Sequence, residues 1–125
     1  MGSLSVRQVF PRDGSVALIA RGVVDDETVE QFERTLDGIV SDEFERLIID
    51  LTACQLASAG LGALIRLQRR LQSRAEAALL VATDVDLIWT LRVVGLTYWF
   101  RVCDTLEAAL LEPVLLEPLV PLVEA

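Results

Sequence analysis

Leu47-Ile48-Ile49-Asp50-Leu51-Thr52, followed after a short gap by Ala57-Ser58-Ala59-Gly60-Leu61-Gly62, reads as a buried strand, a loop and the opening of a helix. Leu47, Ile48, Ile49 and Leu51 form a nearly unbroken apolar run, the pattern of a strand covered on both faces. Ser58 stands where a helix N-cap is expected. A side-chain oxygen there satisfies an orphan backbone N–H, and the helix dipole favours negative charge. Gly60 and Gly62 leave the first helical turn almost bare, so another backbone or a phosphate has room to approach.

Working outward, residues 4–10 alternate imperfectly, as a half-buried strand does. Pro11-Arg12-Asp13-Gly14 is a turn signal, and Val16 to Val24 supplies a second strand, so the chain opens with a hairpin. Asp25, Asp26 and Glu27 are read as the start of a helix, where carboxylates suit the dipole. Its core face is Val29, Phe32, Leu36, Ile39 and Val40. Beyond the central strand, the helix from Ser58 to about Ser73 carries Leu61, Leu64, Ile65 and Leu71 on one side. Ala77 to Ala82 is a further buried strand. Thr83-Asp84 caps a third helix with a stripe of Leu87, Ile88, Leu91 and Val94, which turns Trp89 and Val93 away, and Gly95 stops it. The later part of Leu96 to Val102 suits a last strand, and Asp104-Thr105 begins a fourth helix to about Leu111.

The order β-β-α-β-α-β-α-β-α predicts an α/β fold: one mixed sheet with an antiparallel N-terminal hairpin, parallel crossovers and packed helices. Residues 1–111 form the expected domain, and 112–125 an apolar, proline-containing tail. Pro113, Pro118 and Pro121 preclude a long helix there. Val114, Leu115, Leu116, Leu119, Val120, Leu122 and Val123 are too apolar for a solvated end, and predict packing on the chain's own domain or on a second copy, as in a homodimer.

The segment from Arg46 to Arg70 resembles the STAS domain of bacterial anti-sigma factor antagonists, and the resemblance extends more weakly over about residues 4 to 111. The family's signature is a strand ending in Asp-Leu-Ser, then Asp-Ser-(Ser/Ala/Thr)-Gly-Leu-Gly opening a helix. Asp50-Leu51-Thr52 and Ser58-Ala59-Gly60-Leu61-Gly62 match it. Ala57 stands where Asp is usual, and the loop after Asp50 is one residue shorter. The resemblance implies that Ser58 is phosphorylated by a partner that is both anti-sigma factor and serine kinase. The implied contact surface is Ala57, Ser58, Ala59, Gly60 and Gly62; Arg66 and Arg69 belong to a basic helix face whose pattern reads either as a solvated surface or as a docking strip for an acidic partner. The alternative it implies is an unphosphorylated interaction subunit of a signalling scaffold or a lipid-transport ATPase.

Composition narrows the classes. A chain of 125 residues suits one domain with a real core. The net charge of −8 argues against general nucleic-acid binding and against docking on anionic membranes. No stretch is apolar enough to span a bilayer and no signal peptide opens the chain, so a cytoplasmic location is expected. Met1-Gly2 is no myristoylation site, because Val6 stands where Ser or Thr is needed. Cys54 and Cys103 are expected to be reduced and buried. The absence of histidine removes the commonest general base and metal ligand, and no P-loop is present, so neither an enzyme nor a cofactor is expected. Arg66, Arg69, Arg70 and Arg74 recur at spacings of three and four, the one concentrated basic face in an acidic sequence. Arg66 lies about 12 Å along the helix from Ser58, too far to clamp a phosphate on it.

Overall fold

Alternation along the strands sends side chains to two faces of a single sheet, and the crossovers decide which face is thickly covered. The structure, a computed structural model, describes residues 3–74 and 78–112. Five strands lie in the order β1 (Leu4–Arg12), β2 (Ser15–Val24), β3 (Arg46–Leu56), β4 (Ala78–Val81) and β5 (Phe100–Cys103). β1 and β2 pair antiparallel as the expected hairpin; the remaining pairs are parallel. Between the parallel strands run α1 (Val29–Val40), α2 (Ser58–Ser73) and α3 (Val85–Val93). Because each crossover advances one strand in the same direction with the usual hand, all three helices fall on one face.

The core follows this division. Leu47, Ile49 and Leu51 of β3 join Leu18 and Ala20 of β2 under Phe32, Leu36, Leu64, Leu67 and Leu91 of the helices. The alternate residues Ala17, Ile48, Val81 and Cys103 face the other way and meet α4 (Leu106–Leu111) through Ala109. Arg46 lies on this second face, and its Nη1 donates to the Ala109 carbonyl at 2.6 Å while the side chain is buried. A charged donor thereby holds the last turn of α4 against β3.

Several boundaries depart from the reading of the sequence. β3 continues to Leu56 because it carries a bulge: Ile19 pairs with Asp50, but Arg21 pairs with Ala53. The extra residue leaves the Thr52 N–H to the Asp50 carboxylate, which also accepts from the Thr52 hydroxyl. The Asp-Leu-Thr sequence is thus the local chemistry of a bulge. Helix α1 begins at Val29 rather than at the acidic run. The Asp25 carboxylate instead accepts from the N–H groups of Glu27 and Thr28 and from the Thr28 hydroxyl, which closes a turn ahead of the helix. Val94, read as part of the α3 stripe, is exposed at the helix end, whereas Leu87 and Leu91 are buried. Gly95 sits at φ 84° and stops the helix as expected. Asp84 and Thr105 cap α3 and α4 with their side chains. Both cysteines are free and buried. Burial pushes the Cys54 thiol up to about 11 and raises that of Cys103. The tail's expected packing lies outside the described residues.

Candidate functional site

The chain leaves β3 at Leu56, still paired with Val24, and the Ala57 N–H donates to the Val24 carbonyl at 2.9 Å. That bond fixes where the helix starts. Ala57, in extended conformation, is the N-cap of α2, and its carbonyl takes the first helical bond from the Leu61 N–H. Ser58 is therefore the first helical residue and not the cap predicted from its side chain. Tertiary pairing at Val24 overrides the local preference of serine. Its hydroxyl is exposed and makes no hydrogen bond with the described residues. The first turn of α2 holds no acidic side chain, so the dipole there is uncompensated.

The neighbouring residues divide. Ala57 is exposed and Ala59 half-buried, a shallow surface around the hydroxyl. Gly60, read as open to a partner, is buried. A Cβ on it would meet Leu56 Cδ2 at 2.9 Å and the Cβ and Cγ1 of Val24 at 3.1 Å. Its bareness lets α2 approach β2 and β3. Gly62 faces outward, where a Cβ would meet only the Arg66 guanidinium, 3.4 Å away.

The arginine face is partly engaged within the domain. Arg66 Nε donates to Glu33 Oε2 at 2.7 Å, and this bond raises the Arg66 pKa. Arg70 pairs with Asp37, and Arg74 donates to the Val40 carbonyl at 2.6 Å. These contacts stitch α2 to α1. Arg69 is exposed and has no ion pair among the described residues.

Parallel β2, β3 and β4 all end at the same edge, so the loops that follow them gather around Ser58. Residues Asp25 to Glu27 border one side. On the other, Asp84 and Asp86 line a cavity of about 230 Å³ with Cys54, Gln55, Leu56, Leu87 and Thr90. No basic residue occurs in 25–28, 57–59 and 82–86, the turns and helix starts that follow these strands. Sequence reading treated these carboxylates only as helix starts; the βαβ order was the signal that they would converge. The protonated Cys54 thiol is no nucleophile at neutral pH. Among the described residues no His, Cys, Asp and Glu group is arranged to hold a metal ion, and no helix is long and apolar enough to cross a membrane.

The sequence profile of the STAS domain matches residues 9–109. No curated protein matches the chain. Among solved structures it is similar to an anti-sigma factor antagonist from Mycobacterium paratuberculosis, with 27% identity, a TM-score of 0.78, and coverage of 86% of this chain and 92% of that one. It is also similar to the anti-sigma factor antagonist SpoIIAA in its unphosphorylated form, with 19% identity, a TM-score of 0.69, and coverage of 85% and 93%. The phosphorylated form of the Bacillus cell fate determinant SpoIIAA gives 19% identity, a TM-score of 0.67, and coverage of 85% and 96%.

Proposed function

This chain belongs to the STAS domain family, and from that premise we propose that it is an anti-sigma factor antagonist whose binding is switched by phosphorylation of Ser58. The observation that carries the proposal is the exposed, unengaged Ser58 hydroxyl at the first position of α2. The mycobacterial antagonist at 27% identity supports the class of function. SpoIIAA, which shares the fold, occurs in a phosphorylated form, and that precedent supports the switch.

The partner is an anti-sigma factor that is also a serine kinase. It docks over Ala57, Ser58 and Ala59 while the hydroxyl is free. The kinase then moves the γ-phosphoryl group of ATP to Ser58 Oγ, and ADP leaves as the hydroxyl proton passes to the kinase's base. The helix terminus favours the resulting anion, but the surrounding loops supply no basic side chain to pair it. Keeping the partner in place would require desolvating roughly two unpaired negative charges. The contact therefore opens.

Intact-mass measurement after incubation with candidate partner kinases and ATP tests the modification, with Ser58→Ala as the blank. Calorimetry tests the switch: Ser58→Ala should bind the kinase like the parent chain, and Ser58→Asp at least about tenfold more weakly, a loss of about 1.4 kcal/mol. Equal affinities refute the switch. Ala57→Asp should speed phosphorylation, since a carboxylate beside the acceptor helps orient the kinase complex. The missing carboxylate at Ala57 favours one second reading, a constitutive interaction subunit, for which no kinase would add mass at Ser58.

A further inference from the structure

Helix α3 presents an uncovered apolar stripe on its outer side: Val85 is 76% exposed, Trp89 62% and Val93 60%. These residues are spaced by four, so they follow one another along the helix surface. Beside them, Ile88 and Arg92 of α3 form one wall of a groove of about 420 Å³, and Phe100, Arg101 and Val102 of β5 form the other. β5 is an edge strand. The end of the described chain leads to this groove, because Glu112 Oε1 accepts from Arg101 Nε at 2.8 Å.

We propose that residues 114–123 of the same chain occupy the groove between α3 and β5 and lie across the Val85-Trp89-Val93 stripe. Reach is ample. From Pro113 to Val123 the chain spans up to about 36 Å when extended, whereas the nine residues of α3 cover about 14 Å. The chemistry matches as well. The segment offers seven Leu and Val side chains to an apolar stripe, and it carries Glu117, with Glu124 just beyond it, but no basic residue. Arg92 is exposed on the groove wall with no ion pair among the described residues. Regular strand pairing with β5 along the whole segment is ruled out. Pro113 and Pro121 fall on one alternation and Pro118 on the other, so neither face of an extended segment keeps all its N–H donors. Docking through side chains against an aromatic ring is the mode open to such a segment. This inference is independent of the Ser58 reading.

The test is NMR on the full chain. Contacts from the Trp89 indole to Leu and Val methyl groups of residues 114–123 are expected at all concentrations. They should be absent from the between-chain contacts of a mixed-label sample. Trp89→Lys, at an exposed position, should shift the backbone amides of 114–123. Two results overturn the proposal: amides of 114–123 that are identical in the parent and the Trp89→Lys chain, or indole contacts found only between chains, which would assign the stripe to a second copy.

Discussion

Gly60 and Gly62 lie two residues apart in one helix, and alanine at each should move stability in opposite directions. Both substitutions gain about 1 kcal/mol of helix propensity. At Gly60 the new methyl enters a packed space. Leu56 Cδ2 at 2.9 Å is the free end of a side chain and can rotate aside, but Val24 Cβ at 3.1 Å is a stiff branch rooted in a strand paired on both sides. Overpacking of this kind costs about 1–3 kcal/mol. Gly60→Ala should therefore lose about 1 kcal/mol net. At Gly62 the only neighbour is the Arg66 guanidinium at 3.4 Å, which is mobile at the end of its side chain, so Gly62→Ala should gain up to about 1 kcal/mol. Urea unfolding followed by circular dichroism measures both, and the two midpoints should bracket that of the parent chain. Equal shifts of one sign would refute the assignment of Gly60 to the domain's own packing and of Gly62 to its outer surface.

Two further expectations concern buried groups. The raised Cys54 pKa means that the folded state holds its proton more tightly than the unfolded chain, whose thiol titrates near 9. The stabilisation is complete below pH 9 and is lost as pH rises through about 11, and Cys54→Ala should flatten the alkaline fall in stability. At pH 8 the native thiol should also alkylate about 100-fold more slowly than in urea, because two pKa units remove that much thiolate; equal rates would contradict its burial. Arg46→Met keeps apolar bulk while removing the donor to Ala109, and should cost about 2 kcal/mol, the size of a hydrogen bond to a charged group. A change below about 0.5 kcal/mol in urea unfolding would show that the Arg46 bond adds nothing to the apolar contacts of α4 and the Arg12 bond to its Leu110 carbonyl.

The alternating element order and the apolar runs were enough to predict the mixed sheet, because each period is a direct imprint of one buried face. Asp84, Gly95 and Thr105 were legible for the same reason: their roles are local. What escaped the sequence depends on contacts between distant segments. The helix start at Ser58 was legible, but the Val24 carbonyl places the N-cap at Ala57, and the bulge after Asp50 prolongs β3 beyond its apolar run. Gly60 looks open until Val24 and Leu56 are placed beneath it. Arg66 and Arg70 look like a free strip until Glu33 and Asp37 are brought opposite. The position of Ser58 was readable; the acidic edge around it required the fold.

The unequal covering of the sheet sets an order of opening. α1, α2 and α3 share the larger core, whereas α4 adds Ala109 to a cluster of only five buried residues and is clasped by two arginines, Arg12 and Arg46, that donate to the Leu110 and Ala109 carbonyls. Local unfolding should begin at α4, with its amides exchanging hydrogen well before those of α2. Ser58 stands on the layer that opens last. The partner proposed for Ser58 would therefore meet a surface already in its final shape, and recognition there would carry little entropic penalty for ordering.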